Sequence, residues 1–174
     1  MISRVWTIGH STRPIPEFIG ALEGNGIKLI ADVRLLPGSK RYPQFNKEQL
    51  RDSLRACEIH YEHFPGLGGR RRPAPDSHNT AWRNDAFRGY ADYMETGDFR
   101  KGIDRLLEIA QREGPTAIMC AEAVWWRCHR GLISDFLKAR GIEVVHIFDA
   151  KKTEVHPFTS AARIIDGQLT YRGG

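Results

Sequence analysis

The sequence has few cysteines and no long apolar run, and both shortages narrow the class of protein. Only three cysteines occur among 174 residues, at positions 57, 120 and 128. An odd number without two Cys-x-x-Cys pairs fits neither a disulfide framework nor a structural zinc site, so reduced thiols are expected. No apolar run approaches the ~18 residues of a membrane span, and the first residues lead into a strand pattern rather than a signal peptide. We therefore expect a cytoplasmic protein without a membrane segment.

The glycine-rich motifs of the common nucleotide-binding folds are also missing. Neither GxxxxGK[ST] nor GxGxxG occurs, and no cofactor is implied. A cysteine loop of the tyrosine phosphatase kind needs an arginine at the sixth position after the cysteine. That position holds Trp126 when counted from Cys120 and Ser134 when counted from Cys128. The phosphatase match fails, and rhodanese-like sulfur transfer stays open as an alternative.

The excess of positive charge is modest and concentrated in one stretch. The formal net charge is +5. Residues 64–90 hold five arginines (70, 71, 72, 83 and 88) against Asp76 and Asp85, which gives +3 of that excess. Such local basicity indicates an anionic partner, either a small molecule or a nucleic acid.

Hydrophobic periodicity predicts one domain, residues 1–174, in which strands alternate with helices. The predicted strands cover residues 5–8, 29–33, 59–64, 116–120 and 143–148, and the predicted helices lie near residues 15–22, 47–56, 85–95, 99–112 and 128–140. Because the strand runs are apolar throughout, we expect a three-layer α/β sandwich with a mainly parallel sheet of about five strands. Asp166-Gly167 predicts a C-terminal β-hairpin at residues 163–171.

Reactive side chains follow nearly every predicted strand. They are His10 and Ser11, Asp32 and Arg34, His63, Cys120 and Glu122, and Asp149. In open α/β sheets ligands bind beyond the carboxyl ends of the strands, so we expect these side chains to converge on one site.

A set of short motifs resembles a known family. The motifs are Thr7-Ile8-Gly9-His10-Ser11, Ala31-Asp32-Val33-Arg34, Leu67-Gly68-Gly69, Tyr90-Ala91, and above all Cys120-Ala121-Glu122 with Cys128-His129-Arg130. Over residues 7–148 the chain resembles the bacterial and archaeal domain-of-unknown-function family 488. The resemblance implies that family's fold and motifs, and it brings no established reaction with it. Many members have proline where this chain has Trp125.

The position of Cys128 leads to the first hypothesis about function. It lies near the start of a predicted helix, where free N–H groups and the helix dipole favour an anion. Neighbouring Arg127, His129 and Arg130 would depress its pKa further. We therefore consider a cysteine-dependent enzyme with Cys128 as nucleophile.

The remaining roles of this hypothesis fall on nearby side chains. His129 or Glu122 would be the acid or base, and Arg130 with Arg34 would clamp an anionic group. Cys120 joins this catalytic set. The alternative is that both cysteines merely fill space, since cysteine is among the most buried residue types.

Two further hypotheses rest on other groups of residues. A nucleic-acid module would use the arginines at 70, 71, 72, 83 and 88, interleaved with Tyr61, Phe64, Trp82, Phe87 and Tyr90 as stacking surfaces. A metal site would use Cys120, Glu122, Cys128 and His129. The alternative to the nucleic-acid module is that these arginines only decorate a solvated loop and that most of the aromatic residues belong to the core.

Two pairs at the strand ends have open roles. His10 and Ser11 would transfer protons or bind an anion at a helix N-terminus, or Ser11 or Thr12 would only cap that helix before Pro14. Asp32 and Arg34 would form a structural ion pair or position a ligand. The histidines at 60, 78, 146 and 156 receive no role.

Overall fold

A computed structural model of the chain describes residues 1–38 and 40–173, so Ser39 and Gly174 lie outside the described residues. The strands are β1 (Arg4–Gly9), β2 (Leu29–Asp32), β3 (His60–His63), β4 (Thr116–Cys120), β5 (Glu143–Ile147), β6 (Thr153–Val155), β7 (Arg163–Ile165) and β8 (Gln168–Thr170). The helices are α1 (Ile15–Gly24), α2 (Lys47–Arg55), α3 (Asp85–Tyr93), α4 (Gly97–Glu113) and α5 (Arg130–Ala139). Short 3₁₀ helices cover Pro43–Phe45, Pro65–Leu67 and Trp125–Arg127.

Six strands form one sheet in the order β3-β2-β4-β1-β5-β6. The first five are parallel, and β6 runs antiparallel to β5 at the edge. This confirms the predicted mainly parallel α/β fold. The sequence did not predict β6, because its three residues are all exposed and carry no apolar pattern.

The two faces of the sheet are covered by different helices. Buried residues of α3, α4 and α5, among them Tyr90, Ile103 and Leu132, pack on one face. Buried residues of α1 and α2, among them Phe18 and Leu50, pack on the other. Both faces of the sheet are therefore buried, which explains why its strands are continuous apolar runs in the sequence.

Local sequence signals account for where the elements begin and turn. The side chains of Asn84 and Thr96 accept hydrogen bonds from the first turns of α3 and α4, as N-caps do. In the hairpin of β7 and β8, Asp166 and Gly167 have φ of 53° and 75°. Positive φ at both central residues is typical of a type I′ turn, and the predicted hairpin is confirmed.

The connections open a crevice at one edge of the sheet. Strands β1 and β4 are neighbours, yet α1 follows β1 onto one face while α5 follows β4 onto the other. At such a switch point the chain segments leaving the two strands diverge, and a ligand can enter between them. Among the described residues, no helix is both long and apolar enough to cross a membrane.

Candidate functional site

A cleft of about 570 Å³ lies beyond the carboxyl ends of β1, β2 and β4. It brings together nine of the predicted site residues: His10, Ser11, Arg34, Arg70, Cys120, Glu122, Arg127, Cys128 and His129. Phe87 and Tyr90, which the sequence suggested only as stacking surfaces for a nucleic acid, also line it, and sequence reasoning missed Leu35, Leu36 and Tyr42. The side chains of Asp32, Arg71, Arg72, Arg130, His63 and Asp149 do not line the cleft. The strand ends therefore converge only in part.

Gly9 allows the floor of the cleft to form. A Cβ atom at this position would lie 1.6 Å from the carbonyl oxygen of Glu122, so no other residue fits without moving the backbone. The amides of His10 and Ser11 donate to the carbonyls of Cys120 and Ala121 at 2.9 and 3.0 Å. The segment after β4 is thereby fixed across the end of β1, which places the Cys120 and Glu122 region beside His10.

Cys120 and Cys128 form a buried pair at the base of the cleft. Their exposed fractions are 2 % and 7 %, and each thiol shifts the pKa of the other, as close neighbours do. Burial alone would raise the pKa of Cys120, but the hydrogen bond from Cys128 and the charge of Arg130 lower it to about 7. The pKa of Cys128 is raised well above its usual value by burial and by the neighbouring Cys120.

This distribution differs from the sequence expectation, which assigned the depressed pKa to Cys128. Cys128 does precede α5, and its sulfur accepts from the Arg130 amide at 3.4 Å. That single weak bond does not offset desolvation. Because two buried thiolates side by side would repel each other, the pair gives up one proton easily and the second with difficulty.

His129 is held as a neutral imidazole against Cys128. Its Nε2 lies 3.0 Å from the carbonyl oxygen of Val33, and a neutral ring must donate there. The Nδ1 atom is then an acceptor, and it lies 3.5 Å from the sulfur of Cys128. Burial lowers the pKa of His129 to about 4. The ring is thus suited to accept a hydrogen bond from the S–H of Cys128 while it stays neutral at neutral pH.

Arg130 is a fully buried cation beneath the thiols. It is 1 % exposed, and its guanidinium donates to the hydroxyl of Thr7 at 3.4 Å and to the carbonyls of Glu122 and Ala123 at 3.2 and 3.4 Å. Its Nε has no hydrogen-bond partner. Among residues 1–38 and 40–173 no carboxylate forms an ion pair with it. Arg130 is not among the lining residues of the cleft.

Arg34 does reach the cleft, and its orientation is fixed by two neighbours. Its Nε and Nη2 donate to the carboxylate of Asp32 at 3.0 and 2.8 Å. Its Nη1 lies 3.3 Å from Nε2 of His10. Burial alone would lower the pKa of Arg34, but the hydrogen bond and charge of Asp32 raise it instead. Asp32 and His10 thus engage three of the five N–H groups of this guanidinium.

His10 is consequently a positioning residue for Arg34. Its Nδ1 donates to the carbonyl of Ser11 at 2.9 Å, which leaves Nε2 to accept from Arg34. Burial lowers the pKa of His10 to about 4, and the ring stacks on Phe45 with centroids 4.3 Å apart. Neither nitrogen remains for the proton transfer considered from the sequence.

The charged side chains that line the cleft are mainly cationic. Arg34, Arg70 and Arg127 come from three separate segments, whereas Glu122 is the acidic lining residue in the described part of the chain. Arg70 and Arg127 are exposed. Three positive groups against one negative group favour an anionic ligand.

A buried hydrogen-bonded chain runs from Arg130 in the opposite direction to the cleft. Thr7 Oγ1 lies 2.6 Å from His146 Nδ1, His146 Nε2 lies 2.8 Å from His156 Nδ1, and His156 Nε2 lies 2.8 Å from Asp135. Burial, His156 and Arg130 lower the pKa of His146 to about 2. The contacts link the cation to the carboxylate of Asp135 through Thr7 and the two imidazole rings. Sequence reasoning left both histidines without a role, because nothing in their spacing links them to Asp135.

The other two hypotheses find less support in the geometry. Of the proposed stacking residues, Tyr61, Phe64 and Tyr90 are buried. The Arg71 guanidinium lies 3.7 Å from the centroid of the Tyr93 ring and is already engaged. Across the described residues, no group of three or more His, Cys, Asp or Glu side chains is arranged to hold a metal ion. The arginine loop meets the cleft through Arg70 alone among its three consecutive arginines.

Comparison with known proteins bears on the family and not on the reaction. No curated protein and no solved structure matches the chain significantly. The family model described as domain of unknown function DUF488 matches residues 14–137 of the 174-residue chain. That match spans most of the cleft, including the Cys120 and Cys128 motifs, and confirms the resemblance seen in the sequence. The chain belongs to the DUF488 family.

Proposed function

We propose that this protein is a cysteine-dependent enzyme that acts on an anionic, phosphate-bearing ligand in the cleft. The observation that carries the proposal is Arg130, a buried cation with no carboxylate partner among the described residues. An unpaired buried charge is costly, so such a group is retained where it stabilises a negative charge nearby. The thiols of Cys120 and Cys128 are the ionisable groups next to it that can supply that charge.

The two cysteine sulfurs have different roles in this proposal. Cys120 carries the thiolate, and Cys128 donates its S–H to it. Once the Cys120 sulfur forms a bond to the ligand it no longer accepts this proton, and His129 Nδ1, at 3.5 Å, becomes the acceptor for Cys128. His129 is therefore placed to stabilise the intermediate rather than to generate the first thiolate.

The reaction follows the general course of nucleophilic catalysis. The thiolate attacks an electrophilic atom of the ligand and forms a sulfur bond to it. The leaving group departs with its electron pair and takes a proton from water at the open rim of the cleft, which leaves hydroxide. A second water molecule then cleaves the sulfur bond: its hydroxyl goes to the ligand atom, the Cys120 thiolate is regenerated, and its proton passes by way of the Glu122 carboxylate to the hydroxide.

Anion binding rests on the arginines around the rim. Asp32 and His10 fix the orientation of the Arg34 guanidinium, and a fixed guanidinium suits an oxygen-rich anion. Arg70 and Arg127 are exposed and add charge without a rigid geometry. Binding should therefore weaken with added salt, and Arg34 should contribute more than either exposed arginine.

The first experiment measures thiol alkylation by iodoacetamide against pH. A Cys57→Ala background leaves only the two cleft thiols to react, because the chain has three cysteines. The rate should rise with an inflection near pH 7, as the pKa of Cys120 requires. Peptide mapping should place the label on Cys120. An inflection near the ordinary value of about 8.5 would overturn the proposed thiolate.

The second experiment asks whether an anion occupies the cleft. Inorganic phosphate should slow the alkylation in a saturable way, because it would lie over the thiols. Arg70→Gln should weaken this protection about threefold, the size expected for one exposed charge. Arg72→Gln is the matched control, since Arg72 is also exposed but lies outside the cleft. Alkylation that proceeds at the same rate at all phosphate concentrations would refute the anion site.

A further inference from the structure

An aromatic slot lies beside the cleft on the other side of Cys128. It has a volume of about 240 Å³. Its aromatic walls are Trp82, Phe87, Trp125, Trp126 and Phe158, and the Cys128 side chain forms part of its base. The walls come from the segment before α3, from α3 itself, from the 3₁₀ helix after β4 and from the segment after β6. Aromatic residues far apart in sequence are thus gathered around one thiol.

The slot and the cleft are neighbours that share two lining residues. Cys128 and Phe87 line both cavities. The distance between an anionic group among Arg34, Arg70 and Arg127 and a ring in the slot is therefore spanned at Cys128 and Phe87. The two cavities differ sharply in chemistry, because one is lined by arginines and the other by aromatic rings.

The two consecutive tryptophans at the slot have different roles. Trp125 is 8 % exposed and stacks on His146 with an interplanar angle of 7°, so the protein core already holds it. Its indole N–H also donates to Glu154 at 2.8 Å. Trp126 is 53 % exposed and meets Trp125 edge to face at 5.5 Å. A large exposed aromatic side chain next to a cavity is a common mark of a binding surface.

The base of the slot is kept open by Gly131. A Cβ atom there would lie 3.2 Å from the carbonyl oxygen of Trp125 and 3.7 Å from Cγ2 of Thr159. Any larger side chain at the start of α5 would occupy the space between these residues. The volume of the slot, about 240 Å³, limits what it can bind. A cavity of about 150 Å³ already holds benzene. The slot thus has room for one ring or two fused rings.

We infer that the slot binds a planar aromatic group of the same ligand whose anionic group occupies the cleft. The inference rests on the proposed function and narrows its substrate class to aryl-bearing anions, in which the ring and the charge lie on opposite sides of the reacting thiols. Flat rings suit walls of tryptophan and phenylalanine, which offer both faces and edges for stacking.

The test compares three anions as protectants against thiol alkylation in the Cys57→Ala protein. They are inorganic phosphate, phenyl phosphate, and cyclohexyl phosphate, which matches the phenyl ester in carbon number but is not planar. Burying one ring contributes about 1.5–3 kcal/mol, so phenyl phosphate should protect at roughly 10- to 100-fold lower concentration than inorganic phosphate. Cyclohexyl phosphate should fall between the two.

Trp126→Ala should remove most of the advantage of phenyl phosphate and leave protection by inorganic phosphate unchanged. Trp126 is half exposed, so its loss leaves the core intact. Ile165→Ala is the matched control, because Ile165 is 56 % exposed and lies in the C-terminal hairpin, outside the slot. It should behave as the parent protein does.

The outcomes separate the slot from the proposed function. If inorganic phosphate protects and phenyl phosphate protects no better, the slot is refuted while the anion site stands. The slot is also refuted if the advantage of phenyl phosphate survives Trp126→Ala. If neither anion protects, the anion site and the slot that depends on it both fall.

Discussion

Arg130 separates two polar regions that differ in how far their charges and hydrogen bonds are satisfied. On one side lies the histidine chain, Thr7, His146, His156 and Asp135, in which every step is 2.8 Å or shorter. On the other side lies the thiol cleft. The contacts of the Arg130 guanidinium are long in both directions, 3.4 Å to Thr7 and 3.2 and 3.4 Å to the carbonyls of Glu122 and Ala123, and its Nε has no partner. The bonds within the histidine chain are therefore short, whereas those of the cation beside the thiols are long and incomplete.

The contrast separates a region that is complete within the protein from the region to which we assign the proposed chemistry. Asp135 accepts from His156, from the amide and hydroxyl of Thr159, and from Tyr171. A carboxylate with four donors has no capacity left for a ligand, so the histidine chain is structural. The cleft keeps unsatisfied donors and a low thiol pKa, and such groups cluster at functional sites. The following predictions test this division.

The largest loss of stability should follow Asp135→Ala. The substitution leaves four donors unpaired in a buried place, and breaking a buried charged network costs about 4 kcal/mol. Urea unfolding should show the loss. Asp85→Ala is the control, because the Asp85 side chain is 78 % exposed in its ion pair with Arg88, and its loss should stay below about 1 kcal/mol. Equal effects of the two substitutions would remove the distinction between the regions.

Acid should weaken both regions through their neutral histidines. The pKa of His10 and of His129 is lowered to about 4 in the folded protein, and that of His146 to about 2. The ordinary pKa of histidine is 6.5. Between that pH and the lowered values, the unfolded chain binds protons that the folded chain does not, so stability falls as the pH falls. From pH 7 to pH 5 each histidine should cost about 2 kcal/mol.

Urea midpoints at pH 7, 6 and 5 would measure this loss. His10→Asn removes one of the titrating groups, so this variant should lose less stability over the same range than the parent protein does. A midpoint that does not change with pH would contradict the buried, neutral state of these rings.

The smallest effect concerns the thiol pair itself. In the Cys57→Ala background, Cys128→Ala removes the hydrogen bond that stabilises the Cys120 thiolate. The inflection of the alkylation rate should rise by about one pH unit, which corresponds to ~1.4 kcal/mol. Circular dichroism would verify the fold. If the inflection stays near pH 7, Arg130 alone sets the thiol pKa and the pair has no shared role.

Much of the architecture followed from local patterns in the sequence. The continuous apolar runs predicted β1 to β5 and their parallel arrangement, because only a sheet covered on both faces buries every residue of a strand. Asp166-Gly167 predicted the hairpin, since its turn needs positive φ at both positions. The edge strand β6 has no such signal, because an exposed strand of three residues is held by its neighbour rather than by its own composition.

The membership of the cleft was predicted better than the roles within it. The convergence of strand ends placed Cys120, Cys128, Arg34 and His10 together, as parallel connectivity requires. It did not show that Arg130 turns away beneath the floor, or that His10 is committed to Arg34. The direction in which a side chain points depends on the groups that it contacts. For Arg130 and His10 those groups lie on other segments of the chain, so the local sequence does not reveal them.

The sequence by itself determined the α/β class, the family and the set of reactive residues at the strand ends. Those features depend on apolar periodicity and on short motifs, which are local. The tertiary structure decided which thiol ionises, how Arg130 is shared between two regions, and how the aromatic rings meet Cys128. Each of these depends on burial and on contacts between distant segments, because desolvation and charge act through space and not along the chain.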